Sequence, residues 1–315
     1  MHAYYSDQFV LPLPEGHRFP MHKYSQLRDR LDNEIDAIQI REAQAATDAQ
    51  LELVHSKEYI QGIATGGINA AMQREIGFPW SPAMAQRARH SVGATIAAAR
   101  IALAEGLAGN IAGGTHHSYA DKGGGFCVFN DIAVAARQMQ TESWHLKNRK
   151  INVAVIDLDV HQGNGTAHIF SNDTSVFTLS LHGEKNFPFR KESSDLDVGL
   201  PDGCTDETYL KALSQSLRNL EERFEPDLVF YLAGADPHEG DRLGRLKLSY
   251  KGMHLRDLAV MNWTWEKQLP VVLCMGGGYG HDISTTLAVQ MQTWHLAISF
   301  WKRWQEKLKT SARRA

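Results

Sequence analysis

The stretch INVAVIDLDVHQGNG, residues 151–165, changes character midway. Its first half is a continuous apolar run rich in β-branched residues, which is typical of a buried strand. Its second half places Asp157, Asp159 and His161 at alternate positions just before a glycine-containing turn. Alternate residues of a strand project from the same face, and an unpaired charge is costly to bury. The stretch therefore predicts a buried strand that carries a polar cluster at its carboxyl end.

Two other segments share this pattern of a nearly continuous apolar run that ends in Gly or Asp. The three predicted strands are residues 150–160, 226–236 and 270–279. Between them, residues 206–224 carry apolar side chains at alternating spacings of three and four, and the Ala-rich residues 81–106 end in a glycine, so both segments predict helices. Strands that alternate with helices indicate an α/β fold. We expect three αβα layers around a mostly parallel sheet, in a single domain over residues 1–315.

The composition narrows the class of protein. The 315 residues are 43% hydrophobic, with a net charge of −3 and a pI near 6.6, so the overall charge predicts no nucleic-acid partner. The three cysteines form no CxxC pair, which favours a reducing, cytoplasmic location. Neither a signal peptide nor a membrane-spanning run is expected. The basic residues 302–315 predict a solvated helix end and tail, with Trp301 and Trp304 packing that helix onto the body.

Polar residues follow the predicted strands at equivalent places. They are Asp157, Asp159 and His161 after one strand, Asp236 after the second, Tyr279 after the third, and His116 and His117 in a glycine-rich segment. Taken singly, each has a bland explanation as a helix cap, a turn residue or a packed side chain. In open α/β sheets, however, the active crevice lies beyond the carboxyl ends of the strands. The combination therefore predicts one functional site at that edge.

Two carboxylates and one imidazole make a three-ligand set with room for water, which is the layout of a catalytic zinc site. A nearby histidine can move a proton, and a tyrosine hydroxyl can stabilise an oxyanion, which together suit amide hydrolysis. The glycines of GGGYGHD, residues 276–282, lack the Lys-Ser/Thr of a phosphate loop and the spacing of a dinucleotide turn. A two-metal site is disfavoured because Gly163 and His238 stand where a second metal would need carboxylates.

Four motifs together resemble the zinc-dependent histone deacetylase family, which has the arginase/deacetylase fold. They are DLDVHQGNG (157–165), GGTHHSYADKGGGFCVFND (113–131), AGADPHEGDRLG (233–244) and GGGYG (276–280). The resemblance runs from about Tyr5 to Leu287, with the motifs in the family's order. The details DVHQGNG, EGDRLG and HRFPMHKY look most similar to class IV deacetylases and their bacterial relatives.

The resemblance implies a role for each catalytic residue. Asp159, His161 and Asp236 would bind zinc, whose water would attack the amide carbonyl. His117 would be the general base and then the acid, with Asn164 as its partner, and Tyr279 would donate to the oxyanion. Asp157 would hold the ring of His116, the other tandem histidine.

It also implies substrate and cation contacts. The carbonyl of Gly125 would accept the substrate amide N–H, and Phe126 and Phe187 would line a narrow tunnel, although Phe189 is an alternative to Phe187. A structural potassium ion would use Asp157, Ser180 and the carbonyls of Asp159, His161 and Leu181.

One departure concerns Asn164, since most class I and II relatives have an aspartate there. A neutral amide stabilises a protonated imidazole less than a carboxylate does. We therefore expect a less basic His117 and weak turnover of simple acetyl-lysine.

The expected function is removal of an acyl group, acetyl or longer, from the side-chain amine of lysine in a protein or peptide. A small acylated amine such as acetylpolyamine is an alternative substrate, and a non-catalytic acyl-lysine scaffold is an alternative of a different class. Ligand type also allows Fe²⁺ in place of zinc. The sequence does not indicate an oligomeric state.

Overall fold

Eight parallel strands form one sheet in the computed structural model, which describes residues 1–312. The strands are β1 (His2–Tyr5), β2 (Gln39–Glu42), β3 (Leu107–Asn110), β4 (Val153–Asp157), β5 (Val176–Gly183), β6 (Leu196–Leu200), β7 (Leu228–Leu232) and β8 (Val271–Cys274). Their order across the sheet is β2-β1-β3-β8-β7-β4-β5-β6, and every neighbouring pair is parallel. The prediction of a mostly parallel α/β sheet is confirmed.

Ten helices accompany the strands within residues 1–312. They are α1 (Lys23–Glu34), α2 (Asp48–Leu51), α3 (Lys57–Thr65), α4 (Ala70–Ile76), α5 (Pro82–Glu105), α6 (Asp131–Lys147), α7 (Asn164–Phe170), α8 (Asp206–Arg223), α9 (Tyr250–Glu266) and α10 (Ile283–Ala312). The predicted helices over 206–224 and 81–106 correspond to α8 and α5. Helix α5 begins at a Ser81 cap whose side chain accepts from the Met84 N–H, and it ends at Gly106 with φ +87°.

The alternation of side chains along β7 shows why helices cover both faces of the sheet. Val229 and Tyr231 pack into an apolar cluster with α1, α8, α9 and α10. Leu228, Phe230 and Leu232 pack into a second cluster, with α3, α5 and α6. Both faces of a parallel strand are apolar when helices cover both sides. The result is the predicted three-layer αβα architecture.

The predicted strands are longer than the observed ones. Residues 150–160 were expected to be extended, but β4 ends at Asp157, so Asp159 and His161 lie on the loop that follows. They do not share a strand face. The polar residues approach each other because the chain leaves the sheet there, and loop backbone can turn side chains toward neighbouring strand ends.

The basic C-terminal segment is helical through Ala312, so the predicted helix end extends over residues 302–312. Trp304 is buried and its ring lies 5.5 Å from that of Trp265, while the Trp301 indole N–H donates to Glu105. The predicted packing of this helix on the body is therefore observed. Residues 313–315 of the predicted tail lie outside the described residues. Over residues 1–312, none of the helices has an apolar stretch long enough to cross a membrane.

Candidate metal centre and active site

The polar residues predicted from the sequence meet at the carboxyl ends of four adjacent strands. His116 and His117 follow β3, Tyr279 follows β8, Asp236 follows β7, and the loop after β4 carries Asp159 and His161. These strands are neighbours in the order β3-β8-β7-β4. Four separate parts of the chain therefore contribute to one site because the sheet brings their loops together.

Asp159, His161 and Asp236 form a group with metal-ligand geometry. One ligand atom from each lies within 4.8 Å of the others. His161 Nδ1 is 2.9 Å from Asp159 Oδ1 and 3.2 Å from Asp236 Oδ2. Both carboxylates are almost completely buried. Two buried carboxylates that face one imidazole nitrogen form a donor set that can hold a divalent zinc or iron ion.

Hydrogen bonding inside this group supports the same interpretation. Asp236 Oδ1 accepts from the Val160 N–H at 2.9 Å, but Asp236 Oδ2 only approaches His161 Nδ1 and accepts no hydrogen bond of normal geometry from any described residue. A buried oxygen without a partner requires an explanation. Burial and the neighbouring Asp159 raise the pKa of Asp236 to about 7. A bound cation would supply the missing partner and offset the repulsion, so the three residues fit a metal ion.

Gly277 allows the third strand end to approach this group. Its N–H donates to Asp159 Oδ2 at 2.7 Å. A Cβ atom at this position would lie 2.0 Å from Asp236 Oδ2 and 2.7 Å from Asp159 Oδ2. Only glycine lets the backbone come this close to the two carboxylates.

His116 is held by Asp157, as the resemblance implies. His116 Nδ1 lies 2.6 Å from Asp157 Oδ2, and both residues are buried. Burial lowers the pKa of His116, but the Asp157 carboxylate outweighs it and raises that pKa to about 9. The ring of His116 lies 4.1 Å from that of His117, so a charge on His116 acts directly on its neighbour.

His117 is held by Asn164 in a hydrogen-bonded chain that continues to Glu192. His117 Nδ1 is 2.7 Å from Asn164 Oδ1, Asn164 Nδ2 is 3.0 Å from the Tyr119 hydroxyl, and that hydroxyl donates to Glu192 at 3.0 Å. Because an amide oxygen only accepts, Nδ1 carries the proton of neutral His117 and Nε2 carries the lone pair. Burial and the charges on His116 and His161 hold the pKa of His117 well below its usual value.

Tyr279 is fixed by its backbone on the far side of the site. Its N–H donates to Asp241 Oδ2 at 2.6 Å, and its ring lies 6.4 Å from that of His161. Burial raises the pKa of the Tyr279 hydroxyl well above its usual value, so the hydroxyl keeps its proton. The buried Lys23 ammonium donates to the carbonyls of Gly276 and Gly278, both at 3.3 Å. Lys23 thereby ties α1 to the glycine loop that carries Tyr279.

The predicted tunnel residues surround the access to this site. The Phe187 ring lies 4.9 Å from the ring of His117, and the Phe126 ring lies 6.1 Å from that of Tyr279. A Cβ atom at Gly125 would contact both His117 and Phe187, so Gly125 lies at the same wall. Of the two candidate rings, Phe187 faces the site, whereas Phe189 is 86% exposed. A cavity of about 60 Å³ lies at this site, and its lining includes Asp159, His161 and Tyr279 as well as Met84, Ala112 and Phe129.

The residues of the predicted potassium site lie on β4, on β5 and in the loop after β4. Asp157 and Ser180 are paired in register, and both are buried. The backbone carbonyls of Asp159 and His161 accept no hydrogen bond from any of residues 1–312. Leu181, whose carbonyl was also predicted to contribute, follows Ser180 on the same strand. Unpaired carbonyl oxygens beside a buried carboxylate are compatible with a monovalent cation.

Sequence reasoning missed several residues that support the site. Tyr119, Lys23 and Asp241 all lie inside the quoted motifs, but nothing in their spacing indicates their hydrogen bonds. Arg256 was missed entirely. It is fully buried on α9, pairs with Asp257, and donates to the carbonyls of Gly234 and Leu158. These two hydrogen bonds connect α9 to the loops after β4 and β7, which carry the candidate metal ligands.

Comparisons with known proteins identify the family and the fold. A family model described as "Histone deacetylase domain" matches residues 17–295. An uncharacterized protein from Picosynechococcus sp. is 45% identical, over 89% of this chain and 92% of its own length. Histone deacetylase 2 from Arabidopsis thaliana is 33% identical, over 77% of this chain and 64% of that protein. The crystal structure of an HDAC homolog from Aquifex aeolicus superposes with a TM-score of 0.79 at 23% identity, over 95% of this chain and 84% of that one.

Proposed function

The chain belongs to the histone deacetylase family, and from that premise we propose that it is a metal-dependent amidohydrolase that removes an acyl group from the side-chain amine of lysine. One observation carries the proposal above the others. The candidate ligands Asp159, His161 and Asp236, the tandem histidines and Tyr279 occupy one buried site at the end of an access tunnel. A scaffold that only bound acyl-lysine would not require this full set of proton-transfer groups.

A divalent metal, zinc or Fe²⁺, held by Asp159, His161 and Asp236 would supply Lewis acidity at the scissile carbonyl and toward water. The chain's own residues supply the proton transfers. Nε2 of neutral His117 accepts a proton from the nucleophilic water and later returns it to the leaving lysine amine. The Tyr279 hydroxyl donates to the carbonyl oxygen as negative charge develops on it. Asn164 and Asp157 keep the two imidazoles in the required orientation.

Gly125, Phe126 and Phe187, which line the tunnel, provide the substrate contacts. Phe126 and Phe187 pack against the methylenes of the lysine, and the Gly125 carbonyl accepts the amide N–H. Burial of the methylenes between two aromatic rings excludes water from the reacting amide and strengthens the hydrogen bonds around it.

The size of the inner cavity favours short acyl groups. A water molecule needs about 10–15 Å³ of such volume, and the cavity of about 60 Å³ includes the space beside the candidate ligands and Tyr279, so only a few atoms of an acyl group fit there. An acetyl or similarly short chain fits without rearrangement. A long fatty acyl chain would require the surrounding side chains Met84 and Phe129 to move, which is costly in a packed interior.

Three further features belong to the same proposal. Residues 1–315 form one catalytic domain, supported by the single sheet that carries all the site loops. A potassium ion at Asp157 and Ser180 stabilises the loop after β4. The protein works in a cytoplasmic, reducing setting, supported by Cys127, Cys204 and Cys274, which are all free and buried.

The test is hydrolysis of lysine peptides that carry acyl groups from acetyl to myristoyl, together with acetylpolyamine, by zinc- or iron-loaded protein. We expect acetyl and other short chains to be removed much faster than myristoyl. Faster cleavage of the long chains would overturn the argument from cavity size, but the proposed amidohydrolase activity would still hold. Cleavage of acetylpolyamine alone would replace the peptide substrate, and no hydrolysis in the whole panel would overturn the enzymatic function.

A further inference from the structure

The mouth of the access tunnel is strongly basic. It encloses about 600 Å³ outside Gly125, Phe126 and Tyr279. The side chains with a formal charge at neutral pH around it are Arg18, Arg74, Glu75, Lys185, Arg242 and Arg245. Five are cationic and one is anionic, although the whole chain has more acidic residues (36) than basic ones (33). The basic character is therefore local to this opening.

Most of these cations are free to meet a ligand. Arg18, Arg74, Lys185 and Arg242 are exposed, and no carboxylate of residues 1–312 lies within ion-pair distance of them. Arg242 donates to the Arg18 carbonyl, a neutral acceptor that leaves the charge of Arg242 unpaired. Arg245 pairs with Asp202 at 3.0 Å, but both side chains are largely exposed, so this pair is screened. The single acid, Glu75, already lies 3.9 Å from Lys122.

The cations come from four separate segments of the chain. Arg74 lies on α4, Lys185 follows β5, Arg242 and Arg245 lie in the loop after β7, and Arg18 precedes α1. Clefts lined by one sign of charge focus the electric field and attract ligands of the opposite sign. Cations on several segments that line one cavity suit several anionic groups along a chain, whereas a single phosphate would require donors that converge on one point.

The exposed aromatic rings at the same mouth favour a polypeptide. Phe187 and Phe189, which are 40% and 86% exposed, lie among the mouth residues. Apolar rings beside charged groups match the mixed chemistry of a peptide that continues on both sides of a buried lysine. A small anion would leave these rings without a partner.

We infer that the enzyme selects acylated lysines that are flanked by acidic residues. The inference rests on the proposed function and adds the substrate class. Basic lysine-rich tails are disfavoured, because their neighbouring cations would meet the like charges of Arg74, Lys185 and the other mouth residues. The cationic chain of an acetylpolyamine is disfavoured for the same reason.

The test compares three acetyl-lysine peptides of equal length, flanked by glutamate, by serine or by lysine. We expect kcat/KM at low ionic strength to be about 10-fold higher for the glutamate peptide than for the serine peptide, and lower still for the lysine peptide. At 1 M salt the Debye length falls to about 3 Å, so the three values should converge. Hydrolysis of the serine peptide shows that the proposed function holds, independently of the order of the other two.

The matched variants are Arg74→Glu with Lys185→Glu at the mouth, and Lys211→Glu on the exposed surface of α8. The mouth variant should reverse the preference for the glutamate peptide, whereas Lys211→Glu should leave the ratio between peptides as in the wild type. Equal rates for the three peptides at low salt, or a preference for the lysine peptide, would overturn the inference. So would an unchanged ratio in a folded mouth variant.

Discussion

At the scale of single residues, the most distinctive feature of the site is that an amide, Asn164, is the hydrogen-bond partner of His117. A carboxylate next to an imidazole stabilises its protonated form, whereas the amide of Asn164 only orients the ring. The nearest negative charge along this hydrogen-bonded chain is Glu192, beyond Tyr119. Burial, His116 and His161 also lower the pKa of His117. The proposed base is therefore neutral over a wide pH range, but it is a weak acceptor of protons.

Replacement of Asn164 by aspartate should raise the pKa of His117. Since the base acts only when it is neutral, the acidic limb of the pH profile of kcat/KM should move to higher pH. The measurement is that profile for wild type and Asn164→Asp with an acetyl-lysine peptide. Tyr119→Phe, which interrupts the chain without adding a charge, is the control and should move the limb less. An acidic limb that stays in place in Asn164→Asp would contradict the role of His117.

The residues of the site divide into those that the sequence predicts and those that it does not. The candidate ligands were predictable because Asp159, His161 and Asp236 carry metal-binding atoms in recognisable motifs. Lys23 and Arg256 were not, because each acts through backbone carbonyls of residues that are distant in sequence. Every residue has a backbone carbonyl, so the residue type does not indicate which carbonyl will accept such a hydrogen bond.

At the scale of elements, α5 packs against the backbone that follows β2. A Cβ atom at Gly93 would lie 1.7 Å from the Gln44 carbonyl oxygen, and the Ala46 N–H donates to the Arg89 carbonyl on the same helix. The segment therefore lies directly on the helix, with no space for a side chain at Gly93.

Gly93→Ala should lower the free energy of unfolding by about 1–3 kcal/mol, because the backbone must shift to admit the methyl group. This exceeds the gain of roughly 0.5–1 kcal/mol that alanine normally gives inside a helix. Urea denaturation measures the change. The control is Gly199→Ala on β6, where the nearest atom would be 3.5 Å away and we expect a change within about 0.5 kcal/mol. A stabilised Gly93→Ala would show that the contact is absent.

The start of α6 depends on a neutral histidine. The Asn130 N–H donates to His55 Nε2 at 3.0 Å, and Asn130 caps the helix by accepting from the Ala133 N–H. Burial lowers the pKa of His55 to about 4. Protonation at Nε2 would break the bond to Asn130 and place a charge in the interior.

Stability should therefore fall as the pH falls. An unfolded histidine has a pKa of about 6.5, so between pH 6.5 and 4 the unfolded state binds the additional proton. This contribution is fully present above pH 6.5, and about 2 kcal/mol of it should be lost by pH 5. His55→Gln keeps an acceptor without a titrating group and should show a shallower dependence of unfolding free energy on pH. Identical slopes for the two proteins would contradict this assignment.

Some of the helices and strands could be predicted from the sequence and others could not. The long periodic helices α5 and α8 were recognisable because each has its own apolar stripe and capping residues. The strand β1 and the edge strands β2 and β6 were not, since short half-exposed segments become strands through their parallel pairing with neighbours.

At the scale of the whole molecule, the fold concentrates negative charge at the carboxyl ends of the central strands, where the candidate ligands meet. Asp157 at the end of β4, Asp159 in the loop after β4 and Asp236 in the loop after β7 are all buried. The central strands depend on this arrangement, because Asp159 and Asp236 accept backbone hydrogen bonds from neighbouring loops. Metal binding should therefore stabilise the fold as a whole.

Zinc at a hundredfold excess over its dissociation constant should raise the free energy of unfolding by about 2.7 kcal/mol. The melting temperature of chelator-treated protein, with and without added zinc, measures this effect. Asp236→Asn should lose most of the zinc response, whereas the surface variant Asp32→Asn should keep it. Unloaded Asp236→Asn should be at least as stable as the unloaded wild type, since it removes one of two buried like charges. An equal zinc response in Asp236→Asn would exclude this metal site.

The central claim is that Tyr279 and the candidate metal centre together hydrolyse an acyl-lysine amide. The most direct measurement is the kcat for release of free lysine amine from a serine-flanked acetyl-lysine peptide, for metal-loaded wild type and Tyr279→Phe. We predict that kcat falls about 10²- to 10³-fold in the variant, with KM and metal content nearly unchanged, because only the oxyanion donor is lost. An equal kcat in the two proteins, or no release of amine by the metal-loaded wild type, would contradict the account.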